Sequence, residues 1–264
     1  MRSSHGDRAV GVKGSYWNPG DTIRIKFLDG IKEQRDFVKA TCVEWLKYAN
    51  VKFEFIESGD SEIRIRFNAN DGAWSYIGTE CKSIPQTEQT MNLGWLDVGV
   101  VLHEFGHALG LAHEHQNPTK PIRWNEAAVI KALSGSPNFW DLETIRANVL
   151  DRIPVSEVDA TALDRLSIME YPIPATWTLD GFSAGDNQNL SDMDKSFIAG
   201  LYPFPTVEKS HQMVDLSHIF RTLPELNQLS AALIVRVGTE IGAVVDAKFP
   251  KKKNVETVFK KINP

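Results

Sequence analysis

The stretch from Val100 to His115 constrains this chain more than any other segment. Its apolar residues recur at helical spacing, which predicts a buried helix. His103 and His107 stand four residues apart in that helix, so their imidazoles project from one face about a turn apart. This spacing predicts that the two side chains share one metal ion.

Three further residues extend the pattern. Glu104 is too close to His103 to complete the same tetrahedron, but it can hydrogen-bond a water held by the metal, and we interpret it as the general base. Gly110 falls where the helix should end, because glycine takes the left-handed conformation without a Cβ penalty. The reversed chain can bring His113 back as a third nitrogen ligand. Three imidazoles, an open position and an adjacent carboxylate are typical of metal-assisted hydrolysis, since a structural zinc site is closed by a fourth protein ligand.

The alternative interpretation of the histidine pair is a buried helix whose imidazoles bond to backbone carbonyls. The added glycine and third histidine argue against it. The segment resembles the metzincin signature, in the order His103-Glu104-x-x-His107-x-x-Gly110-x-x-His113. His115 competes with His113 on geometry if the chain is extended, but the match selects His113, and we expect His115 to lie behind the ligands or to be exposed. Glu114 resembles the astacin branch, where this residue ties the domain to the processed N-terminus.

The resemblance also implies a tight turn with a methionine beneath the metal, and Ser167 to Tyr171 supplies it. Metzincins place a methionine thioether under the three imidazoles, and the astacin branch has a tyrosine two residues later; Met169 and Tyr171 match both positions. The resemblance implies that Tyr171 is a zinc ligand that swings away to stabilise the oxyanion. Without the zinc motif, both residues would be ordinary core residues.

The rest of the first half alternates strand and helix patterns. We predict one long helix over Ile31 to Ala49 and three strands: Thr22–Leu28, Val51–Ile56 and Glu62–Phe67. Thr90 to Gly94 is assigned to the edge strand above the cleft, where a peptide can add by main-chain hydrogen bonds, with a short internal strand as the alternative. The fold class is therefore α/β (α+β) and metzincin-like, with a twisted mixed sheet, an antiparallel edge strand and an active-site helix.

The resemblance covers about residues 15 to 205. We predict a catalytic domain over residues 1–205, with an upper half of about 15–113 and a mostly helical and irregular lower half of about 114–205. In the lower half we expect helices over 125–133, 139–150 and 191–201, the last with Ser191 as N-cap and Asp194 at position N3. Residues 206–264 form a C-terminal extension of unknown role, which carries nine Lys and Arg against six Asp and Glu in a chain whose net charge is −5.

Composition excludes several classes of function. The negative net charge argues against nucleic acid as the main partner. No apolar run approaches the ~18 residues needed to span a bilayer, and the polar start is not a signal peptide. Two cysteines, Cys42 and Cys81, cannot form the two disulfides usual in animal astacins, so the chain looks like a reduced or microbial version, although the resemblance implies secretion. Cys42 is expected in the core and Cys81 in a loop.

We therefore predict a monomeric zinc-dependent endopeptidase that acts on a peptide or protein substrate. One Zn²⁺ is held by His103, His107 and His113, with Glu104 as general base and Tyr171 as a further catalytic group. Two alternatives remain open. One is a catalytically idle binding module of the same fold, which the retained Glu104 argues against. The other is a zinc hydrolase acting on a non-peptide amide or on a cell-wall peptide.

Overall fold

The computed structural model describes residues 10–205 apart from Lys120, Pro137 and Thr161. The predicted extension over 206–264 lies outside the described residues. The helices, in chain order, are α1 (Lys32–Cys42), α2 (Val98–Ala108), α3 (Glu126–Leu133), α4 (Leu142–Ile145) and α5 (Asp192–Leu201). The strands are β1 (Gly11–Val12), β2 (Thr22–Phe27), β3 (Lys52–Phe55), β4 (Ile63–Arg66), β5 (Ala73–Ser75), β6 (Met91–Leu93) and β7 (Val158–Asp159).

A five-stranded sheet in the order β3-β2-β4-β6-β5 forms the upper half. The first four strands are parallel, and β5 pairs with β6 in the antiparallel direction. This arrangement confirms the predicted mixed sheet with one antiparallel edge. None of the helices in the described part of the chain has the length and apolar character to cross a bilayer.

The assignment of the edge strand to Thr90–Gly94 is wrong, and the alternative of a short internal strand is correct. β6 is paired on both sides. Its Met91 lies opposite Ile65 of β4, and its Asn92 lies opposite Trp74 of β5. The chain first forms the edge strand β5 and then returns through residues 76–90 to form β6 between β5 and β4. Position along the sequence therefore does not give position in the sheet.

The single helix predicted over residues 31–49 is also wrong in its second half. α1 ends at Cys42, and a 3₁₀ turn follows over Trp45–Lys47. The Trp45 side chain is fully buried, and its indole N–H donates to the carbonyl of Leu102 on α2 at 2.9 Å. The tighter turn places this indole against the zinc-motif helix, which stabilises the break.

The main core lies between the sheet and the helices α1 and α2. Its fully buried members include Ile23, Ile25 and Ile65 from the sheet and Val101 and Phe105 from α2. Burying a side chain of this size contributes roughly 1.5–3 kcal/mol. Packing against this continuous apolar core holds α2 in place along its length.

The lower half contains smaller apolar clusters and more irregular chain. α3 and α5 match their predicted bounds, with Asn125 and Ser191 as N-caps. The helix predicted from residue 139 begins three residues later, because the Asp141 side chain caps it by accepting from the Thr144 N–H at 2.7 Å, and Phe139 has φ 51°, outside the helical range. A π-helical turn over Arg146–Leu150 follows α4.

Candidate active site

The structure brings His103, His107 and His113 together. The ring nitrogens that face one another all lie within 4.8 Å, and Nε2 of His107 is 3.1 Å from Nε2 of His113. Among the described residues no other group of three His, Cys, Asp or Glu side chains converges in this way. This spacing allows the three nitrogens to share one ion.

Backbone carbonyls orient two of these imidazoles. Nδ1 of His103 lies 2.8 Å from the Ile168 carbonyl, and Nδ1 of His107 lies 2.8 Å from the Leu111 carbonyl. Because a carbonyl only accepts, each Nδ1 carries the hydrogen and each Nε2 keeps its lone pair. Burial lowers the pKa of His103 to about 3 and that of His107 to about 4, and it holds the pKa of His113 well below its usual value. All three rings are neutral near pH 7, as metal ligation requires.

The chain reversal between the second and third histidines rests on Gly110. This residue has φ 95°, which ends α2 and turns the chain back. The N-terminal segment then stabilises the reversal, since the Val12 N–H donates to the Gly110 carbonyl at 2.9 Å and the Ala112 N–H donates to the Val10 carbonyl at 2.9 Å. Residues 10–12 thus help to place the chain that leads to His113.

Glu104 lies on α2 beside the first histidine and is 5% exposed. Its Oε2 has no hydrogen-bond partner among the described residues. Burial raises the pKa of this carboxyl to about 8. A buried carboxylate with an unpartnered oxygen is costly unless a ligand uses it. Together with three neutral imidazoles, it completes a donor set that fits a catalytic zinc ion.

The segment Ser167–Tyr171 passes under α2. Met169 is fully buried, and a Cβ at Gly106 of α2 would overlap its sulfur atom. Asp194 holds the segment by accepting from the Ser167 hydroxyl at 2.6 Å and from the Ile168 N–H at 2.8 Å. The sequence indicated Asp194 only as an N3 residue of α5, because a contact across 27 residues leaves no local signal.

The Tyr171 ring lies among the imidazoles. Its centroid is 5.7 Å from that of His103, 4.4 Å from that of His113 and 4.8 Å from that of His115. Burial, with a smaller contribution from the charge of Glu104, raises the pKa of Tyr171, so the phenol keeps its proton and can donate a hydrogen bond.

Two further buried side chains lie beside this site, and the sequence did not predict the position of the second, Glu170. Of the two positions expected for His115, the one behind the three histidines is correct, because the side chain is 2% exposed and stacks on the ring of His113. Glu170 is 3% exposed and approaches Nδ1 of His115 at 3.5 Å. Glu114 is also buried; its Oε1 accepts from the Asn117 side chain at 3.1 Å and from the Asp164 N–H at 3.0 Å.

Both cysteines are free and buried. Cys42 packs in the main core as predicted, and burial raises its pKa to about 12. Cys81 lies in a 3₁₀ turn rather than in a plain loop, and burial raises its pKa to about 11. The buried Arg64 guanidinium donates to the Cys81 carbonyl at 3.4 Å and to the Ile84 carbonyl at 3.0 Å. Neither thiol belongs to the histidine cluster.

Comparison with known proteins gives consistent matches. The model of the Astacin family of peptidases matches residues 11–131. Zinc metalloproteinase nas-23 of Caenorhabditis elegans is 29% identical over 145 residues, which are 54% of this chain and 23% of that protein. Tolloid-like protein 1 of Homo sapiens is 34% identical over 101 residues, 37% of this chain and 9% of that protein. The chain thus spans less than a quarter of the length of either relative.

A solved structure of myroilysin covers much more. It is 39% identical, has a TM-score of 0.72, and aligns with 74% of this chain and 99% of its own. A crystal structure of myroilysin, also 39% identical, has a TM-score of 0.56 and aligns with 73% of this chain and 87% of its own. The likeness therefore extends from the histidine motif to the fold that carries it.

Proposed function

Because this chain belongs to the astacin family of peptidases, we propose that it is a zinc-dependent endopeptidase whose site is formed by His103, His107, His113, Glu104 and Tyr171. The observation that carries the proposal is the convergence of three neutral imidazoles within 4.8 Å beside a buried carboxylate oxygen without a partner among the described residues. Zinc, which enzymes of this family use, lowers the pKa of a water and polarises the scissile carbonyl when bound.

Glu104 acts as the general base. Its unpartnered Oε2 is available to accept a proton from the attacking water, and the same carboxyl then returns the proton to the leaving amine. Burial raises the pKa of Glu104 toward the range in which a carboxyl exchanges protons near neutral pH. Glu104 lies on α2, whose backbone is fixed by packing in the main core.

Tyr171 donates a hydrogen bond to the developing oxyanion. Its phenol stays protonated, because burial raises its pKa, and its ring is held against His103 and His113. A donor that is already oriented toward developing charge stabilises the transition state more than the ground state.

The substrate aligns along β5 in this proposal. The N–H of Tyr76 bonds to the Thr90 carbonyl and the N–H of Gly94 to the Gly72 carbonyl, so residues 72, 74 and 76 face β6. The N–H and carbonyl groups of Ala73 and Ser75 consequently point to the outer side, where no described strand pairs with them. A peptide can add there by β-augmentation, which recognises main chain rather than one particular side chain.

Glu104→Gln tests the general base. The amide fills the same space but does not accept the proton, so we expect zinc content equal to that of the parent and a loss of kcat of about 10³-fold. Metal analysis and cleavage of a peptide library check both. Cleavage close to that of the parent at equal zinc content would disprove the assignment, and an inactive parent that still binds zinc and peptide would favour the idle binding module.

Tyr171→Phe tests the oxyanion donor. Removal of one such donor typically costs about 10²–10³-fold in kcat. We expect a kcat loss of about 10²-fold with KM changed much less, because the phenol acts in the transition state. Steady-state kinetics on one peptide measure both constants; a change confined to KM would make Tyr171 a substrate-positioning group instead.

A further inference from the structure

His115 is a buried imidazole for which the proposed mechanism has no role. Its ring stacks on the ring of His113, with centroids 5.0 Å apart and planes inclined by 20°. It also stacks on the ring of Tyr171, with centroids 4.8 Å apart and planes inclined by 28°. One side chain thus supports both the third histidine of the cluster and the tyrosine of the site.

One hydrogen bond orients this ring, and a carboxylate lies near its other nitrogen. Nε2 of His115 is 2.8 Å from the Asn148 carbonyl, so Nε2 carries the hydrogen. Nδ1 is 3.5 Å from Oε1 of Glu170, and the same Oε1 accepts the Tyr171 N–H at 3.0 Å. The pair therefore contacts Tyr171 at two points: His115 packs on its ring, and Glu170 holds its backbone.

Stability alone does not account for this pair. Both side chains are fully removed from solvent, and Nδ1 of His115 and Oε2 of Glu170 have no hydrogen-bond partner among the described residues. Replacing a buried polar pair with apolar residues of similar volume is often neutral or stabilising. A group that costs stability and contacts the site at two points is typical of a residue kept for positioning.

We propose that His115 and Glu170 are positioning residues that hold Tyr171, and with it the ring of His113, in the orientation needed for catalysis. The proposal rests on the proposed peptidase function, because it assigns the pair an effect on the step in which Tyr171 acts. Catalytic groups that are displaced by about 1 Å lose much of their effect, so loss of the pair should lower kcat rather than substrate binding.

Glu170→Leu and Glu170→Gln form a matched test. Leucine fills the space but accepts no hydrogen bond from the Tyr171 N–H, whereas glutamine keeps that acceptor. We expect Glu170→Leu to lower kcat at least about 10-fold with KM changed less than about 3-fold, and Glu170→Gln to recover most of the loss. Val38→Ala serves as a destabilised control, because it leaves a cavity in the core at α1. At temperatures well below its melting temperature, this variant should keep the kcat of the parent.

A double-mutant cycle separates positioning from general damage. If the pair acts through Tyr171, Glu170→Leu should cause little additional loss in a Tyr171→Phe background. The variants are compared at saturating zinc, and losses that multiply in the double variant would overturn the proposal. Should Glu170→Leu fail to fold, His115→Leu carries the same test, because it fills the space but removes the ring that stacks on Tyr171.

A spectroscopic measurement decides the proposal without activity. The chain has five tyrosines, and Tyr171 is identified by NMR of ¹³C-labelled protein as the ring signal absent in Tyr171→Phe. In metal-free parent, this signal should carry ring-current shifts from the three neighbouring imidazoles, and Glu170→Leu should lose them while the other tyrosines keep theirs. An unchanged Tyr171 signal would overturn the proposal. A parent that cleaves no peptide would instead count against the proposed function.

Discussion

His103, Glu104 and His107 lie on α2, which is surrounded by the continuous apolar core of the upper half, whereas His113 and Tyr171 lie on irregular chain in and next to the lower half. The helix is fixed by packing along its length. The irregular chain reaches the same core at Ile168 and Met169 of the segment beneath the histidines, and it is fixed in addition by individual hydrogen bonds that the Gly110 carbonyl, Asp194 and Glu170 accept. The same site is thus built by two different physical means.

The two means respond differently to substitution. Apolar contacts are many and individually weak, so a core can lose one and relax. A buried hydrogen-bond acceptor that serves several donors leaves all of them unpaired when it is removed. Removal of one polar side chain should therefore lower stability more in the lower half than in the upper half. The following predictions test this difference.

His113→Ala gives the largest expected effect. It removes one of the three proposed nitrogen ligands, and groups that merely hydrogen-bond to ligands already contribute about 10–100-fold to metal affinity. We expect zinc affinity to fall at least about 100-fold and cleavage to disappear, with helix content unchanged in circular dichroism. His115→Ala should retain zinc; the reverse result would show that His115 is the third ligand.

The stabilities of Asp194→Ala and Asp97→Ala compare the two halves directly. Asp97 caps α2 by accepting one N–H, that of Val100 at 2.8 Å, and its loss should cost about 1 kcal/mol. Asp194 accepts from the Ser167 hydroxyl and from the N–H groups of Ile168 and Ser191. Its loss should cost about 3 kcal/mol, because three donors lose their acceptor and two of these hydrogen bonds are buried.

Urea unfolding of the metal-free variants measures both free energies. Equal losses for Asp97→Ala and Asp194→Ala would break the proposed contrast between the halves. We also expect only the Asp194 variant to lower kcat at saturating zinc, since only that residue holds the segment beneath the histidines.

Truncation after Pro205 should have the smallest effect. The proposed ligands, base, tyrosine and closing helix α5 all precede this residue. We expect the shortened chain to bind zinc and to cleave a short peptide within about 3-fold of the full chain, with any loss confined to stability. A folded, zinc-loaded truncation without peptide cleavage would place part of the site in residues 206–264.

The sequence determined much of the upper half, because its signals are local. Helical spacing gave the face shared by His103 and His107, and Gly110 marked the end of α2, which the structure places at Ala108 with φ 95° at the glycine. Period-two alternation gave β2, β3 and β4 within a residue or two. The resemblance to the astacin branch, carried by those same residues, is confirmed by the family model and by the myroilysin structure.

Only the tertiary structure decided the rest. It moved the sheet edge from β6 to β5, because strand order depends on pairing partners far apart in sequence. It gave Asp194 a second role at Ser167, brought Glu170 to His115, and placed residues 10–12 beside the reversal before His113. Each of these contacts joins residues separated by about 27 or more positions through a polar atom, and such contacts follow no period along the chain that a sequence pattern can reveal.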